Sequence, residues 1–210
     1  MSNFLKRPLA QSEQEVKDKD DIVSLINFER FCRDNSRWDE MYKCFAKDSY
    51  VSISWYQGSG EGFVTASSKM NIYAPHVIHN TLTWINGDRA VTIMNADITM
   101  RQDIDDVTCN LTSSVQLIFS TERIDGQWYI SRFESIYTQD SLVPILPNNT
   151  LNINSKELSK YRPSYACLSY ILEQNGESSK QDLPGIDKPE TVEKLYKELD
   201  NWLDGGKRED

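Results

Sequence analysis

The spacing of apolar residues changes along the chain, and each change marks a different kind of element. Ile22, Leu25, Ile26 and Cys32 recur at helical intervals behind a capping Asp20 or Asp21, with Phe28 and Phe31 widening the stripe. Asp34-Asn35-Ser36 interrupts that helix, and Trp38 to Phe45 resumes it with Met41, Cys44 and Phe45 turned inward. Tyr50 to Tyr56 alternates and is rich in strand formers, which predicts the first strand. Gly58, Gly60 and Gly62 then lead into a short helix near Phe63 to Tyr73. They lack the lysine and the preceding buried strand of a phosphate loop, so that chemistry is set aside.

The next stretch holds both histidines of the chain. Asn86-Gly87 is a strong two-residue hairpin signal, because tight turns that match strand twist need positive φ at both central positions. With that turn, Asp97 falls opposite His76. One face then carries His76, Asn80, Leu82 and Trp84 beside Asn95 and Asp97, the mixture of apolar bulk and a few polar groups expected of a pocket. His79 points the other way, which leaves the two histidines unable to share a metal. A bulge at the glycine would break the His76/Asp97 pairing.

After an acidic bend at Asp103 to Asp106, Val107 to Glu122 and Gln127 to Thr138 predict two long strands joined by Asp125-Gly126. The bend lacks the glycine and terminal glutamate of a calcium loop and reads as a solvated turn. The same pairing rule puts Ser114, Gln116 and Ile118 on one face with Phe133, Ser135 and Tyr137. Beyond Asp140 come a proline-bounded linker, a helical region over Ser155 to Asn175 broken at Pro163, and a last amphipathic helix over Pro189 to Leu203. Helices first, then strands that are mostly long and antiparallel, define an α+β class in which a curved sheet wraps N-terminal helices.

A formal charge of -9 argues against nucleic acid or an anionic membrane as partner and leaves small molecules and proteins. No apolar run is long enough to span a bilayer and no basic-then-apolar leader opens the chain, which reads as soluble and cytoplasmic. The four cysteines are scattered without metal-ligand spacing and read as buried free thiols in a reducing compartment. No nicotinamide, flavin or metal motif is present, so no cofactor is expected.

The segments IVSLINFERFCRDNSRWDEMYKCFAKDSYVSISW, PHVIHNTLTWINGDRAVTIMNADI and IDGQWYISRFESIYTQDSL resemble SnoaL-like (nuclear transport factor 2-like) domains, and within them the scytalone dehydratase-like subgroup. The resemblance covers residues 18–142, which leaves 1–17 as a flexible arm and 143–210 as a linker and C-terminal helical extension. That extension, with YRPSYACLSYILEQNG, is similar to one on some uncharacterised bacterial members. What the resemblance implies is a cone-shaped barrel with one deep pocket, commonly dimeric through its sheet. Family members include dehydratases, isomerases and cyclases as well as non-catalytic binding modules and subunits, so fold alone leaves function open. Carried over by residue, the catalytic histidine falls on His76 and its carboxylate on Asp34. Arg33 and Trp55 stand where the subgroup has tyrosines, Ser114 and Gln116 correspond loosely to its serine and asparagine, and its second histidine is absent.

A histidine held by a carboxylate is an acid/base near neutral pH. The reading is therefore a lyase or isomerase acting on a small hydroxy-carbonyl compound through His76, oriented by Asp34 or Asp97. Asn80, Asn95, Ser114, Gln116 and Tyr137 are the polar substrate contacts in this reading, and Trp55 and Phe133 the apolar ones. The other reading is a ligand-binding or assembly module of the same fold without turnover. The segment Tyr161 to Leu172 is then either a docked helix or a lid over the pocket.

Overall fold

A computed structural model describes residues 4–70 and 72–208. Residues 1–3 of the expected arm, residue 71 of the expected short helix and residues 209–210 of the tail lie outside them. The first helix, α1, runs from Glu13 to Asp34 and so starts well before the Asp20 or Asp21 cap expected for it. Ser12 is the cap: its side chain accepts the Glu15 N–H, and Glu13 and Glu15 put negative charge on the positive end of the helix. α2 (Trp38–Tyr42) follows after a break at Asn35-Ser36, and it buries Met41 as expected, with Cys44 and Phe45 beyond its end also buried.

The stripe of α1 differs from the one the apolar residues alone predict. Phe28 and Phe31 are 44% and 54% exposed, stacked on each other outside the fold, while Glu29, Arg30 and Arg33 are buried with Ile22 and Ile26. The described part of residues 1–17 is also less loose than an arm. Phe4 is buried edge-on against Trp84, and the carbonyl of Lys6 accepts the Trp84 indole N–H.

The strands are β1 (Phe45–Ile53), β2 (Tyr56–Ser59), β3 (His76–Asn86), β4 (Arg89–Ile104), β5 (Val107–Ile124) and β6 (Gln127–Pro144), with α3 (Gly60–Lys69) between β2 and β3. They form one sheet in the order β2-β1-β6-β5-β4-β3, antiparallel except where β1 runs parallel to β6. β2 and β3 are the two free edges, so the α+β fold is an open sheet rather than a closed barrel. Two-residue turns close the long hairpins at Asp105-Asp106 and Asp125-Gly126, with positive φ at all four positions.

The inner face packs Met94, Leu117, Phe119 and Phe133 against the N-terminal helices. The outer face buries Trp84, Val91, Ile93, Ile118 and Ile136 under α6 (Pro189–Leu203), through Leu195, Leu199 and Trp202. Between them, α4 (Ser155–Leu158), a 3₁₀ turn at Pro163–Tyr165 and α5 (Ala166–Gln174) lie against the far end of β5 and β6. Arg162 pins this region with a two-pronged ion pair to Asp187 at 2.6 and 2.7 Å.

Candidate active site

Bulges decide which residues reach the inner face. The β3–β4 hairpin closes on the pair Asn86/Arg89, so its turn residues are Gly87 and Asp88 rather than Asn86 and Gly87. The register then shifts between Ile78 and Thr81, where two residues of β3 oppose one of β4. Below that shift His76 faces Ile98, and Asp97 faces Val77. The expected His76/Asp97 pair therefore does not form. A second shift, between Ser120 and Thr121, does the same in the β5–β6 hairpin, so that Val115, Leu117 and Phe119 share the inner face with Phe133, Ser135 and Tyr137.

A cavity of about 50 Å³ lies between this face and the helices, room on the order of four water molecules. Its apolar wall includes Trp55, Met70, Met100, Phe133, Leu168 and Leu172. The last two belong to α5, so the C-terminal extension supplies part of the wall. Its polar groups are Arg30, Arg33, His76, Ser135 and Tyr137, together with Ser54.

Asp34 ends α1 and grips His76 twice. Its Oδ2 accepts the backbone N–H of His76 and its Oδ1 accepts the ring Nδ1–H, both at 2.8 Å. The side chains are 8% and 14% exposed, so the pair is largely shielded from water. Burial pushes the Asp34 carboxyl up, but the hydrogen bonds and charge of His76 outweigh it and hold Asp34 ionised below the ordinary carboxylate range. An ionised carboxylate only accepts, which places the imidazole proton on Nδ1 and a lone pair on Nε2. For His76 burial is the largest influence; with the charge of Arg30 it outweighs the Asp34 bond, and its pKa falls below the ordinary histidine value. His76 is thus neutral, lines the cavity, and carries its lone pair on Nε2.

Arg30 donates from Nη1 to that Nε2 at 3.3 Å. Its other nitrogens grip Glu29, and its guanidinium lies 4.8 Å over the Phe133 ring, which fixes it in place. Tyr137 accepts the Ser54 N–H on its hydroxyl oxygen at 2.8 Å, and burial raises its pKa, so it stays a neutral phenol.

Trp55, Phe133 and Tyr137 line the cavity with His76, and Asp34 holds His76 from behind. Asp97, Asn80, Asn95, Ser114 and Gln116 do not reach it. Asp97 meets exposed His79 at 2.8 Å and accepts from Ser114 at 2.6 Å, on the outer side. Ser114 bonds the carboxylate and not the imidazole, so this is no nucleophilic triad. Asn80 accepts from Asn95, and Gln116 from the Tyr196 hydroxyl of α6. Glu29 and Arg30, which reach the candidate site through His76, are the residues that pattern reading missed. Their signal was present: charged residues at the i+3 and i+4 positions after Ile26, on the stripe itself.

An open sheet with helices on its inner face and one shielded histidine–aspartate pair beside a mostly apolar cavity makes this an α+β fold with a pocket. The chain belongs to the SnoaL-like domain family, which matches residues 14–134. It is 28% identical over 189 residues to a PEP2-like protein of the fungus Fusarium vanettenii, covering 82% of this chain and 80% of that one. Pea pathogenicity protein 2 of the same fungus is 27% identical over 186 residues, with the same coverage of 82% and 80%. These alignments are longer than the family match, so part of the C-terminal extension is shared with fungal relatives.

Among solved structures, one from Novosphingobium aromaticivorans assigned provisionally to scytalone dehydratase gives a TM-score of 0.51 at 14% identity, covering 67% of this chain and 97% of that one. A hexachlorocyclohexane dehydrochlorinase, LinA type 2, gives 0.52 at 12% identity, covering 66% and 95%. At these identities the likeness is one of fold.

Proposed function

We propose that the cavity performs cofactor-independent acid–base chemistry on a small hydroxy-carbonyl compound, as a dehydratase-type lyase or an isomerase. The observation that carries the reading is the doubly held, neutral His76 on the wall of a mostly apolar cavity, where a substrate would take the place of Arg30 at Nε2. In the elimination, Nε2 takes the proton from the carbon next to the carbonyl, and the electron pair moves onto the carbonyl oxygen. Its return expels hydroxide from the neighbouring carbon, and the imidazolium proton leaves with it as water. Isomerisation follows instead when the proton goes back to a different carbon. In this reading Asp34 steadies the imidazolium, and the Tyr137 hydroxyl on the cavity wall donates to the substrate oxygen. Two structural neighbours are named for eliminations, a dehydration and a dehydrochlorination, which agrees with this direction of chemistry.

The test is deuterium exchange: small hydroxy-ketones and keto acids are incubated with the protein in D₂O and the carbon-bound proton is followed by NMR. Exchange that disappears in His76→Ala supports the reading. The second reading, a ligand-binding module, draws on Arg30 occupying Nε2 at 3.3 Å. It takes over if compounds bind saturably and none exchanges. We also propose a cytoplasmic setting, which suits the buried thiols of Cys32, Cys44 and Cys109. A homodimer would have to use a surface other than the sheet face that α6 covers.

A further inference from the structure

The charged groups around the cavity pair off with one left over. Glu29 is taken by Arg30, and both oxygens of Asp34 are taken by His76. Arg33 is 8% exposed and lines the same cavity, yet among the described residues its guanidinium has no carboxylate or carbonyl partner. Its one hydrogen bond is to the Met70 sulfur at 3.8 Å, and its one ring contact is Trp38, 5.9 Å away. A thioether is a weak acceptor, so most of its five N–H donors have no partner within the described residues and are left to water or a ligand. Burial and the neighbouring charge of Arg30 work against it, and the charges of Asp34 and Glu29 offset them only in part. In a chain of net charge -9, a shielded cation aimed into an apolar space is a local reversal of the overall field.

We infer that Arg33 is the binding group for a carboxylate on the substrate, so that the cavity takes small hydroxy or keto acids rather than neutral hydroxy-carbonyl compounds. The inference rests on the reading above that this cavity is the site of chemistry, and it names the class of compound. A planar guanidinium fork matches a carboxylate with two parallel hydrogen bonds. A phosphate dianion would ask for more donors than this one uncommitted guanidinium offers. With the carboxylate on Arg33, the adjoining carbon faces His76, because both side chains open onto the same small space.

The experiment labels the methionine methyl groups with ¹³C and titrates the full chain with pyruvate and, separately, with pyruvamide, its neutral counterpart. Met70 and Met100 line the cavity and report occupancy. Pyruvate is expected to move both signals saturably, with pyruvamide at least about tenfold weaker, since a lost charge-assisted pair is worth that factor or more. Arg33→Met is expected to abolish the difference between the two, and Arg33→Lys to retain part of it. Without ligand, Arg33→Met is expected to melt at or above the wild-type temperature, because a buried charge with no partner is a cost to the fold.

Equal responses to pyruvate and pyruvamide, no response to pyruvate, or an Arg33→Met variant that keeps the preference would each overturn the inference. So would a marked fall in melting temperature, which would make Arg33 a structural partner of Trp38. Failure here is separable from failure of the acid–base reading. If pyruvate binds through Arg33 and nothing exchanges deuterium, the chemistry is wrong and the carboxylate site stands. If neutral ketones exchange as fast as keto acids, the carboxylate site is wrong and the chemistry stands.

Discussion

Asp34 does two jobs with two oxygens, and the one on the ring is the one that matters for proton transfer. Replacing it by asparagine keeps the shape and removes the charge, so the imidazolium that forms during proton abstraction loses its counter-ion. For any compound that the wild type exchanges, Asp34→Asn is expected to slow deuterium exchange by about 10² or more, measured by NMR at fixed pH. Acidity gives a second expectation. Because the folded pKa of His76 lies below its ordinary value of about 6.5, protons bind the unfolded chain first as pH falls through that value. Stability is therefore full above about 6.5 and declines below it, down to the folded pKa. His76→Gln is expected to flatten that part of a urea-midpoint-against-pH curve, and the exchange rate of the wild type is expected to have its acid limb below about 6.5. An unchanged curve in the variant would show that another group governs that window. That His76 and Asp34 belong together was legible from residues 18–142 through the resemblance they carry. Asp97 was not separable from Asp34 without the register, and Glu29 and Arg30 were passed over because the stripe was drawn through apolar residues only.

At the scale of elements, the four long strands were readable from alternation and turn residues and the last helix was read with the bounds it has, while β1 starts at Phe45 rather than Tyr50 and the short β2 lies where the glycines suggested only a crossing. What the pattern could not carry is the register shifts, one in β3–β4 and two in β5–β6, since a bulge changes no residue type and leaves alternation intact on each side. Each shift flips every side chain beyond it, which is why Ser114, Gln116, Asn80 and Asn95 were assigned to the wrong side of the sheet. The contribution of α5 was open in the sequence for a related reason: a helix after a linker can dock anywhere. Leu172, 2% exposed, comes from α5 and closes one side of the cavity. Leu172→Ala is expected to cost about 2–5 kcal/mol in urea unfolding. It is also expected to admit larger guests, seen as tighter binding of a longer-chain keto acid than of pyruvate, where the small cavity of the wild type is expected to favour pyruvate. Destabilisation without that reversal would mean that the space collapses, or that α5 packs on the sheet without gating the cavity.

The molecule as a whole has one sheet with two apolar faces, and each face has a different cover. The inner one is closed by the N-terminal helices and α5 around the cavity, the outer one by α6 with Phe4 at its edge. That second cover has a consequence for association. A face carrying Trp84, Val91, Ile93, Ile118 and Ile136 is the kind of surface that pairs with another copy when nothing lies on it. α6 lies on it, held at its end by Arg89, which donates to the carbonyl of Trp202 at 2.8 Å and stacks 5.1 Å over the Trp202 ring. A chain stopped after Asp187 loses this cover while keeping the Arg162–Asp187 pair that anchors the region before it. Sedimentation of such a chain is expected to give a mass that rises with concentration in the micromolar range, while the full chain gives one constant mass. Adding Ile93→Lys to the shortened chain is expected to suppress the rise, because a charge in the middle of the bared face opposes pairing. If the shortened chain keeps the mass of the full one, the outer face does not drive association and α6 serves stability alone.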